Sequence, residues 1–114
     1  MADECLFCRI VGGGIPARVV RRDRGMLAFE DIAPKAPVHL LVIPERHVDS
    51  LAGVTGLSRQ ERSDMLEFIA EVADAAGLGT TGYRVTTNHG SDALQSVHHL
   101  HWHVMGGTAL SETM

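Results

Sequence analysis

The sequence predicts an α+β fold built on an antiparallel sheet. Short strand-like runs outnumber helical ones and are joined by short turns, and one long helical pattern lies between them. With 114 residues, of which 45% are hydrophobic and 21% charged, the chain has enough apolar material for one core but not for two. We therefore expect residues 1–114 to form a single domain.

A short helix and a β-hairpin are predicted in the first third of the chain. Residues 4–11 have apolar side chains on successive turns, and the glycine run 12–14 forces the helix to end. The strand-like runs 17–22 and 26–31 flank the turn sequence at 23–25, which ends in glycine. Two such runs around a short polar turn indicate a hairpin.

A strand and the long helix follow in the middle of the chain. The compact apolar run 39–43 is a strand that Pro44 ends, because proline cannot donate a ladder hydrogen bond. The helix begins at Ser58, since Ser58 and Glu61 form a capping-box pattern, and Gly77 ends it. Its apolar residues recur at helical spacing, at Met65, Ile69, Val72 and Ala76.

Two more strands are predicted in the last third. Residues 83–87 form one strand, and a polar loop at 88–95 separates it from the next. The last strand covers 98–105 and is closed by the glycine pair 106–107.

The charge and the N-terminal sequence exclude several kinds of partner. The formal net charge is −4 and the chain has no long Lys/Arg run, so binding to polymeric nucleic acid is disfavoured. A single phosphorylated molecule can still be held by backbone N–H groups and histidines. The first residues lack a signal-peptide pattern, and no stretch approaches a membrane helix. We expect a cytoplasmic protein without a membrane partner.

The histidines are concentrated in the last predicted strand. Four of the seven lie within it, at His98, His99, His101 and His103. Because alternate side chains of a strand point the same way, the last three would form a row with neighbours roughly 7 Å apart. The residues between them face the core: Leu100, Trp102 and Val104.

Such a row has several interpretations. One imidazole can attack a phosphorus atom while its neighbours donate to phosphate oxygens. Imidazoles two residues apart on a strand can instead share a metal ion. The row could also be an accidental surface patch or an affinity tag, and its internal position and the flanking apolar alternation argue against a tag. The residues alone leave catalysis and metal binding both open.

Both cysteines fall in one Cys-x-x-Cys pair, Cys5 and Cys8. In a reducing compartment this spacing favours metal or redox chemistry over a structural disulfide.

The stretch QSVHHLHWHVMGG at 95–107 strongly resembles the signature of the histidine-triad (HIT) family, in which three histidines alternate with apolar residues. Here it reads His99-Leu-His101-Trp-His103-Val-Met105. Further motifs resemble the Hint branch of that family: GIPA at 14–17, AFEDIAP at 28–34, APVHLLVIPERH at 36–47, GYRV at 82–85 and NHGSD at 88–92. The resemblance runs in order from about Cys5 to Gly107.

The resemblance implies a fold and an assembly. It implies the HIT α+β fold, an antiparallel sheet of about five strands with one short and one long helix. It also implies a homodimer with the long helix, about Ser58–Ala76, and the Tyr83 strand at the interface.

The resemblance also implies an activity. Hint-like proteins hydrolyse nucleoside phosphoramidates and acyl or aminoacyl nucleotides, usually with AMP or GMP as the nucleotide half. His101 matches the nucleophile that attacks the α-phosphorus, forming a nucleotidyl-histidine that water then hydrolyses. His103 matches a phosphate donor, and His99 and His39 match residues that orient neighbouring ring nitrogens. Ser96 matches a contact to the bridging atom of the leaving group.

The nucleotide-binding residues are implied in the same way. Asp31 matches the carboxylate that holds the ribose hydroxyls, and Asn88 a contact to ribose and phosphate; both are also ordinary turn residues. Backbone N–H groups near Gln95–Val97 would stabilise phosphate charge. The base pocket is implied to consist of Phe7, Ile10, Phe29, Ile32 and Leu41, although Phe29 and Leu41 are equally consistent with plain core.

Some relatives carry a Cys-x-x-Cys that binds structural zinc with two distant histidines, and the matching ligands here are Cys5, Cys8, His47 and His99. A Cys2His2 set suits tetrahedral zinc. Zinc on one nitrogen of His99 would leave the other facing the active site, and catalysis itself would require no metal. The alternative is that both cysteines are packing thiols.

The chain departs from the Hint pattern at three places. Ala93-Leu94 stands where Hint proteins commonly carry Gly-Gly, His98 replaces an aromatic residue, and the tail lacks an aromatic end. The leaving group therefore stays open. Other open functions are hydrolysis of diadenosine polyphosphates, nucleotide binding or scaffolding with incidental activity, and pure zinc binding.

Overall fold

A computed structural model describes residues 5–112 and confirms the α+β class. Five antiparallel strands form one sheet in the order β1-β2-β3-β5-β4. The strands are β1 (Val19–Asp23), β2 (Met26–Glu30), β3 (Val38–Pro44), β4 (Tyr83–Thr86) and β5 (Trp102–Gly106). The predicted hairpin is confirmed, since β1 and β2 pair around a turn with Gly25 at φ 77°.

Two α-helices flank the sheet, α1 (Leu6–Val11) and α2 (Arg59–Ala75). The capping box of α2 is confirmed: the Glu61 N–H donates to Ser58 Oγ at 3.0 Å, and the Ser58 N–H donates to Glu61 Oε1 at 2.8 Å. A 3₁₀ helix at Leu51–Gly56 was not predicted. Residue 4, the predicted start of the short helix, lies outside the described residues. Within residues 5–112, neither helix has the length and apolar character needed to cross a membrane.

The sheet separates two apolar clusters. Alternation along β3 sends Leu40 and Val42 to the α2 side, and Leu41 and Ile43 to the α1 side. On the α1 side, Phe7 packs with these residues and with β2. Burying each such side chain contributes about 1.5–3 kcal/mol to the free energy of folding. The central strands are therefore a rigid support for the side chains of the site.

The last strand is shorter than predicted. It begins at Trp102, and residues 98–101 approach it without strand geometry. The register pairs Val42 with Trp102, so Leu100 would stand opposite Pro44, which has no N–H to extend the ladder. The Leu100 N–H instead donates to the Val48 carbonyl at 2.6 Å.

Because β5 begins only at Trp102, the expected row of histidines along one strand does not form. The prediction that His99, His101 and His103 alternate along one strand is wrong, because only His103 belongs to β5. The apolar half of the prediction is confirmed: Leu100 and Val104 are buried in the α2-side cluster, and Trp102 packs against it.

Candidate active site and metal cluster

His101 is held in one tautomer by a main-chain group. Its Nδ1 lies 2.7 Å from the carbonyl oxygen of His99. A carbonyl only accepts, so Nδ1 carries the proton and Nε2 of the neutral ring keeps a lone pair. The ring is 5% exposed and meets the edge of Phe7, with ring centroids 5.1 Å apart. His101 is therefore a positioned imidazole whose neutral form carries its lone pair on Nε2.

His39 and His103 form a second oriented pair. The Lys35 N–H donates to Nδ1 of His39 at 3.0 Å, which places the His39 proton on Nε2. That Nε2 lies 2.9 Å from Nδ1 of His103 and donates to it. The remaining proton of a neutral His103 is therefore on its Nε2. The chain of hydrogen bonds makes His103 a donor beside His101, with ring centroids 5.3 Å apart.

The electrostatic environment keeps this pair neutral near pH 7. Burial, reinforced by the neighbouring His101 and His39, lowers the pKa of His103 to about 4. Burial also lowers the pKa of His39, although Asp31, with Oδ2 3.4 Å from His39 Nε2, opposes that shift. A neutral His103 donates a hydrogen bond without placing a full charge next to His101.

A cleft of about 340 Å³ opens in front of these histidines. Its apolar walls include all five residues expected for the base pocket: Phe7, Ile10, Phe29, Ile32 and Leu41. The lining also includes the polar side chains of Asp31, Ser96, His101 and His103, together with Val97. A cleft with an apolar wall and a few convergent polar groups is the usual form of a small-molecule site.

Some lining residues were not singled out from the sequence. Leu6, Glu30 and the segment 15–17 also line the cleft. The segment 15–17 belongs to the GIPA motif, so the signal was present in the sequence, but nothing local indicated that it would face the cleft.

Other predicted residues lie outside the cleft lining. His99 and His39 stand behind the ring that each was expected to orient, and half-buried Asn88 is not among the lining residues. Gln95 stabilises its own loop: its side-chain Nε2 donates to the Asp49 carbonyl at 2.7 Å, and its Oε1 accepts from the Gly90 N–H at 2.9 Å. The Gln95 main-chain N–H donates to the Gly90 carbonyl and is already engaged.

Asp31 is both a turn residue and a residue of the cleft lining. Its Oδ1 accepts from the Ala33 N–H at 2.8 Å, which is a turn-stabilising contact. The same residue lines the cleft next to His39. The turn contact therefore fixes the carboxylate at the cleft instead of competing with that position.

Four potential metal ligands converge beside α1. Sγ of Cys5 and Sγ of Cys8 lie 3.3 and 3.5 Å from His99 Nδ1, and Cys8 Sγ lies 3.3 Å from His47 Nδ1. The four ligand atoms all lie within 4.8 Å of one another. Two sulfurs and two imidazole nitrogens at this spacing fit the donor set of tetrahedral zinc.

The outer hydrogen bonds of the two histidines point their ligand nitrogens at the cysteines. His99 Nε2 donates to the Pro44 carbonyl at 2.7 Å, and His47 Nε2 donates to Asp49 Oδ1 at 2.8 Å. Each contact leaves Nδ1 unprotonated and facing the thiols, which is the arrangement that supports a metal ligand. Burial and the Cys5 thiol raise the pKa of Cys8 to about 11, so a bound metal would displace its proton. Pro44 and Asp49 were not predicted as supporting residues.

The expected double role of the His99 ring is wrong. Its second nitrogen bonds the Pro44 carbonyl and does not face the active site. His99 orients His101 through its main-chain carbonyl instead. The reason is that β5 begins only at Trp102. His99 therefore lies outside the strand, and its ring can turn toward the cysteines.

The loop before Ser96 contains an unusual backbone conformation. Leu94 has φ 60° and is 85% exposed, at a position where the Hint pattern carries glycine. The chain thus keeps a left-handed turn with a residue that adopts it at a cost.

Comparison with known proteins agrees with this geometry. Residues 13–110 match the family model for the HIT domain. Protein HitA of Neisseria gonorrhoeae is 43% identical over 104 residues, covering 91% of this chain and 96% of that protein. Purine nucleoside phosphoramidase of Escherichia coli K12 is 34% identical over 110 residues, covering 96% and 92%.

Solved structures show the same fold. A HIT family hydrolase from Legionella pneumophila superposes with a TM-score of 0.90 at 40% identity, covering 96% of this chain and 97% of that one. A histidine triad protein from Clostridium difficile superposes with a TM-score of 0.86 at 40% identity, covering 96% and 95%.

Proposed function

Because this chain belongs to the HIT family of hydrolases, we propose that it cleaves purine nucleoside 5′-phosphoramidates or aminoacyl-nucleotides through a nucleotidyl-His101 intermediate. The bond cleaved is the phosphorus–nitrogen bond of the former or the acyl-phosphate bond of the latter. The similarity to a purine nucleoside phosphoramidase supports this substrate class. The hydrogen bond from His101 Nδ1 to the His99 carbonyl carries the proposal, because it leaves Nε2 as a nucleophile in a nucleotide-sized cleft.

In the first step, His101 Nε2 attacks the α-phosphorus and the bond to the leaving group breaks. For a phosphoramidate, the electron pair of the phosphorus–nitrogen bond goes to the departing nitrogen, which takes up a proton and leaves as an amine. We assign this donation to the hydroxyl of Ser96, which lines the same cleft as His101. The His99 carbonyl stabilises the positive charge of the imidazolium adduct at Nδ1–H.

In the second step, water attacks the same phosphorus and His101 leaves with its Nε2 lone pair restored. The water gives its proton to Ser96 Oγ, which restores the hydroxyl used in the first step, and the product is a nucleoside monophosphate. In both steps, Nε2–H of His103 donates to a non-bridging oxygen whose charge grows in the transition state. The His39 contact keeps that donor in the required tautomer.

The nucleoside half occupies the apolar part of the cleft. The purine packs between α1 and the central strands, and Asp31 accepts hydrogen bonds from the ribose hydroxyls. The α1 side of the cleft depends on Phe7, which also contacts His99 and His101. The apolar wall of the cleft and the proposed nucleophile therefore pack against the same side chain, Phe7.

A zinc ion would be held by Cys5, Cys8, His47 and His99. Bound there, it would cross-link α1 to the segments that carry His47 and His99 and would take no part in the reaction. The apolar wall that α1 supplies would then depend on the metal for its position.

We also propose that the protein is a cytoplasmic homodimer joined through α2 and β4. Leu66 on α2 is 60% exposed and Tyr83 on β4 is 42% exposed. β4 is an edge strand of the sheet, and two edges can pair into a continuous sheet.

Mass spectrometry of the protein quenched without acid during turnover of an adenosine phosphoramidate tests the function. An added nucleotidyl mass on His101, together with AMP release, is the expected result. The same experiment with diadenosine polyphosphates separates the two hydrolase functions. Bound nucleotide with no adduct and no product from either substrate would contradict the enzyme assignment and favour a binding role.

A further inference from the structure

The main chain of His101 is held by a side chain that follows the neighbouring strand. The Thr87 hydroxyl donates a hydrogen bond to the His101 carbonyl oxygen at 2.7 Å, across 14 residues of sequence. Thr87 is half-buried and is not among the residues that line the nucleotide cleft. Its hydroxyl therefore contacts the proposed nucleophile through the main chain and from outside the cleft.

This contact stands at the point where the regular sheet ends. β4 ends at Thr86, which pairs with His103, and β5 begins at Trp102. His101 and Thr87 are thus each the first residue beyond their strand. Within an antiparallel ladder, main-chain N–H groups hold the carbonyl groups of the facing strand. Beyond the ladder a side-chain donor can take over that role, and here the donor is the hydroxyl of Thr87.

Other contacts fix the chain on the other side of the nucleophile. The ring of His101 bonds the His99 carbonyl, two residues back. The Leu100 N–H donates to the Val48 carbonyl at 2.6 Å. Both contacts restrain the segment that leads up to His101. The bond from Thr87 restrains the peptide group that leads away from it into β5, so the nucleophile is held from both directions.

Resting on the proposed function, we propose that Thr87 is a positioning residue for the reaction. By fixing the peptide group that follows His101, its hydroxyl holds the ring where Nε2 meets the α-phosphorus in both steps. Thr87 does not line the cleft, so it acts through His101 and not on the substrate. A misplacement of about 1 Å can lower a rate by about 10²-fold, so one tether on the nucleophile is enough to affect turnover.

Threonine suits this role because of two properties of its side chain. Its hydroxyl donates a hydrogen bond, and its branched Cβ restricts χ1, so the donor is aimed before substrate arrives. Valine has nearly the same shape without a donor, whereas serine has the donor without the branch. The variants Thr87→Val and Thr87→Ser therefore separate the hydrogen bond from the packing of the side chain.

Steady-state hydrolysis of an adenosine 5′-phosphoramidate is the first measurement. We expect Thr87→Val to lower kcat about tenfold with little change in KM, because the tether affects the position of the nucleophile and not the nucleotide-binding walls. Thr87→Ser should recover most of kcat. The control is Thr81→Val, which removes an exposed hydroxyl from the turn before β4 and should match the wild type.

NMR of the histidine ring nitrogens is the second measurement and needs no turnover. The wild-type His101 ring should give the signals of the Nδ1–H tautomer with a hydrogen bond at Nδ1. Thr87→Val should shift these signals, because the ring moves relative to the His99 carbonyl, and Thr87→Ser should restore them. Tm is measured for every variant, and Thr87→Ala repeats the test should the valine variant not fold.

The outcomes separate this inference from the proposed function. An active wild type and an equally active, folded Thr87→Val variant would overturn the positioning role alone, whatever the change in Tm. A loss of kcat that serine does not recover would overturn it too, because packing would then be responsible and not the hydrogen bond. If the wild type hydrolyses no phosphoramidate, the proposed function falls, and the His101 signals of the valine and serine variants still decide whether Thr87 sets the position of the ring.

Discussion

His101 Nδ1 donates a hydrogen bond to the main-chain carbonyl of His99 at 2.7 Å. The ring of the same His99 faces Cys5 and Cys8. One residue therefore joins the four candidate metal ligands to the proposed nucleophile: its side chain is one of those ligands, and its main-chain carbonyl sets the tautomer of His101.

Replacing His101 by alanine should lower kcat by at least about three orders of magnitude, because no other group supplies the attacking nitrogen. Nucleotide should still bind, since the apolar walls remain. Single-turnover AMP release and calorimetric titration with AMP measure the two effects. His89→Ala, which removes an exposed imidazole paired with Ser50, serves as the control and should turn over normally. Near-normal turnover by His101→Ala would contradict the mechanism.

Zinc should bind with one equivalent per chain and raise Tm, because the ligands come from segments that are far apart in sequence. The double variant Cys5→Ser, Cys8→Ser should bind no zinc at this site, and added zinc should not change its Tm. Metal analysis and thermal unfolding with and without a chelator provide the data. If chelation leaves the wild-type Tm unchanged, the cysteines are packing thiols.

Acid should destabilise the protein between about pH 6.5 and pH 4. Burial lowers the pKa of His103 to about 4, whereas the same group in the unfolded chain titrates near 6.5. Within that window the unfolded state binds more protons, so the free energy of unfolding falls as pH falls. His39, whose pKa is also lowered, acts in the same direction.

Urea titrations at about pH 7 and about pH 5, with chelator in every sample, measure this dependence. The chelator removes the contribution of metal release. His103→Asn should show a smaller loss of stability between the two pH values than the wild type. An equal loss in both proteins would show that His103 is not responsible.

Replacing Leu94 by glycine should stabilise the fold by about 0.5–1 kcal/mol. The left-handed conformation costs an L-residue about 1–2 kcal/mol, and the greater freedom of glycine in the unfolded chain offsets part of the gain. Little packing is lost, because the side chain is 85% exposed. Urea denaturation measures the change. Ala93→Gly is the matched control: with φ outside the left-handed region, it should destabilise the protein.

Local patterns accounted for most of the elements. The Ser58–Glu61 capping box and the apolar spacing of α2 lie within a few residues of one another, so the sequence alone was sufficient to predict them. The same holds for the burial of Val104, which follows from alternation along β5, whereas Leu100 is buried although it precedes the strand. The 3₁₀ helix was missed because its six residues, LAGVTG, include two glycines and are too few for a helical pattern to stand out.

The histidine geometry depended on contacts between distant residues. The sequence by itself determined the α+β class, the cluster of histidines and cysteines, and the family resemblance. Only the tertiary structure decided which nitrogen of each ring carries a proton, and that the His99 ring lies against Cys5 and Cys8. A ring's tautomer follows from the partner of its other nitrogen, and for His99 that partner is the Pro44 carbonyl, 55 residues away in sequence. No local pattern encodes a contact that forms only when β3 lies against the segment preceding β5.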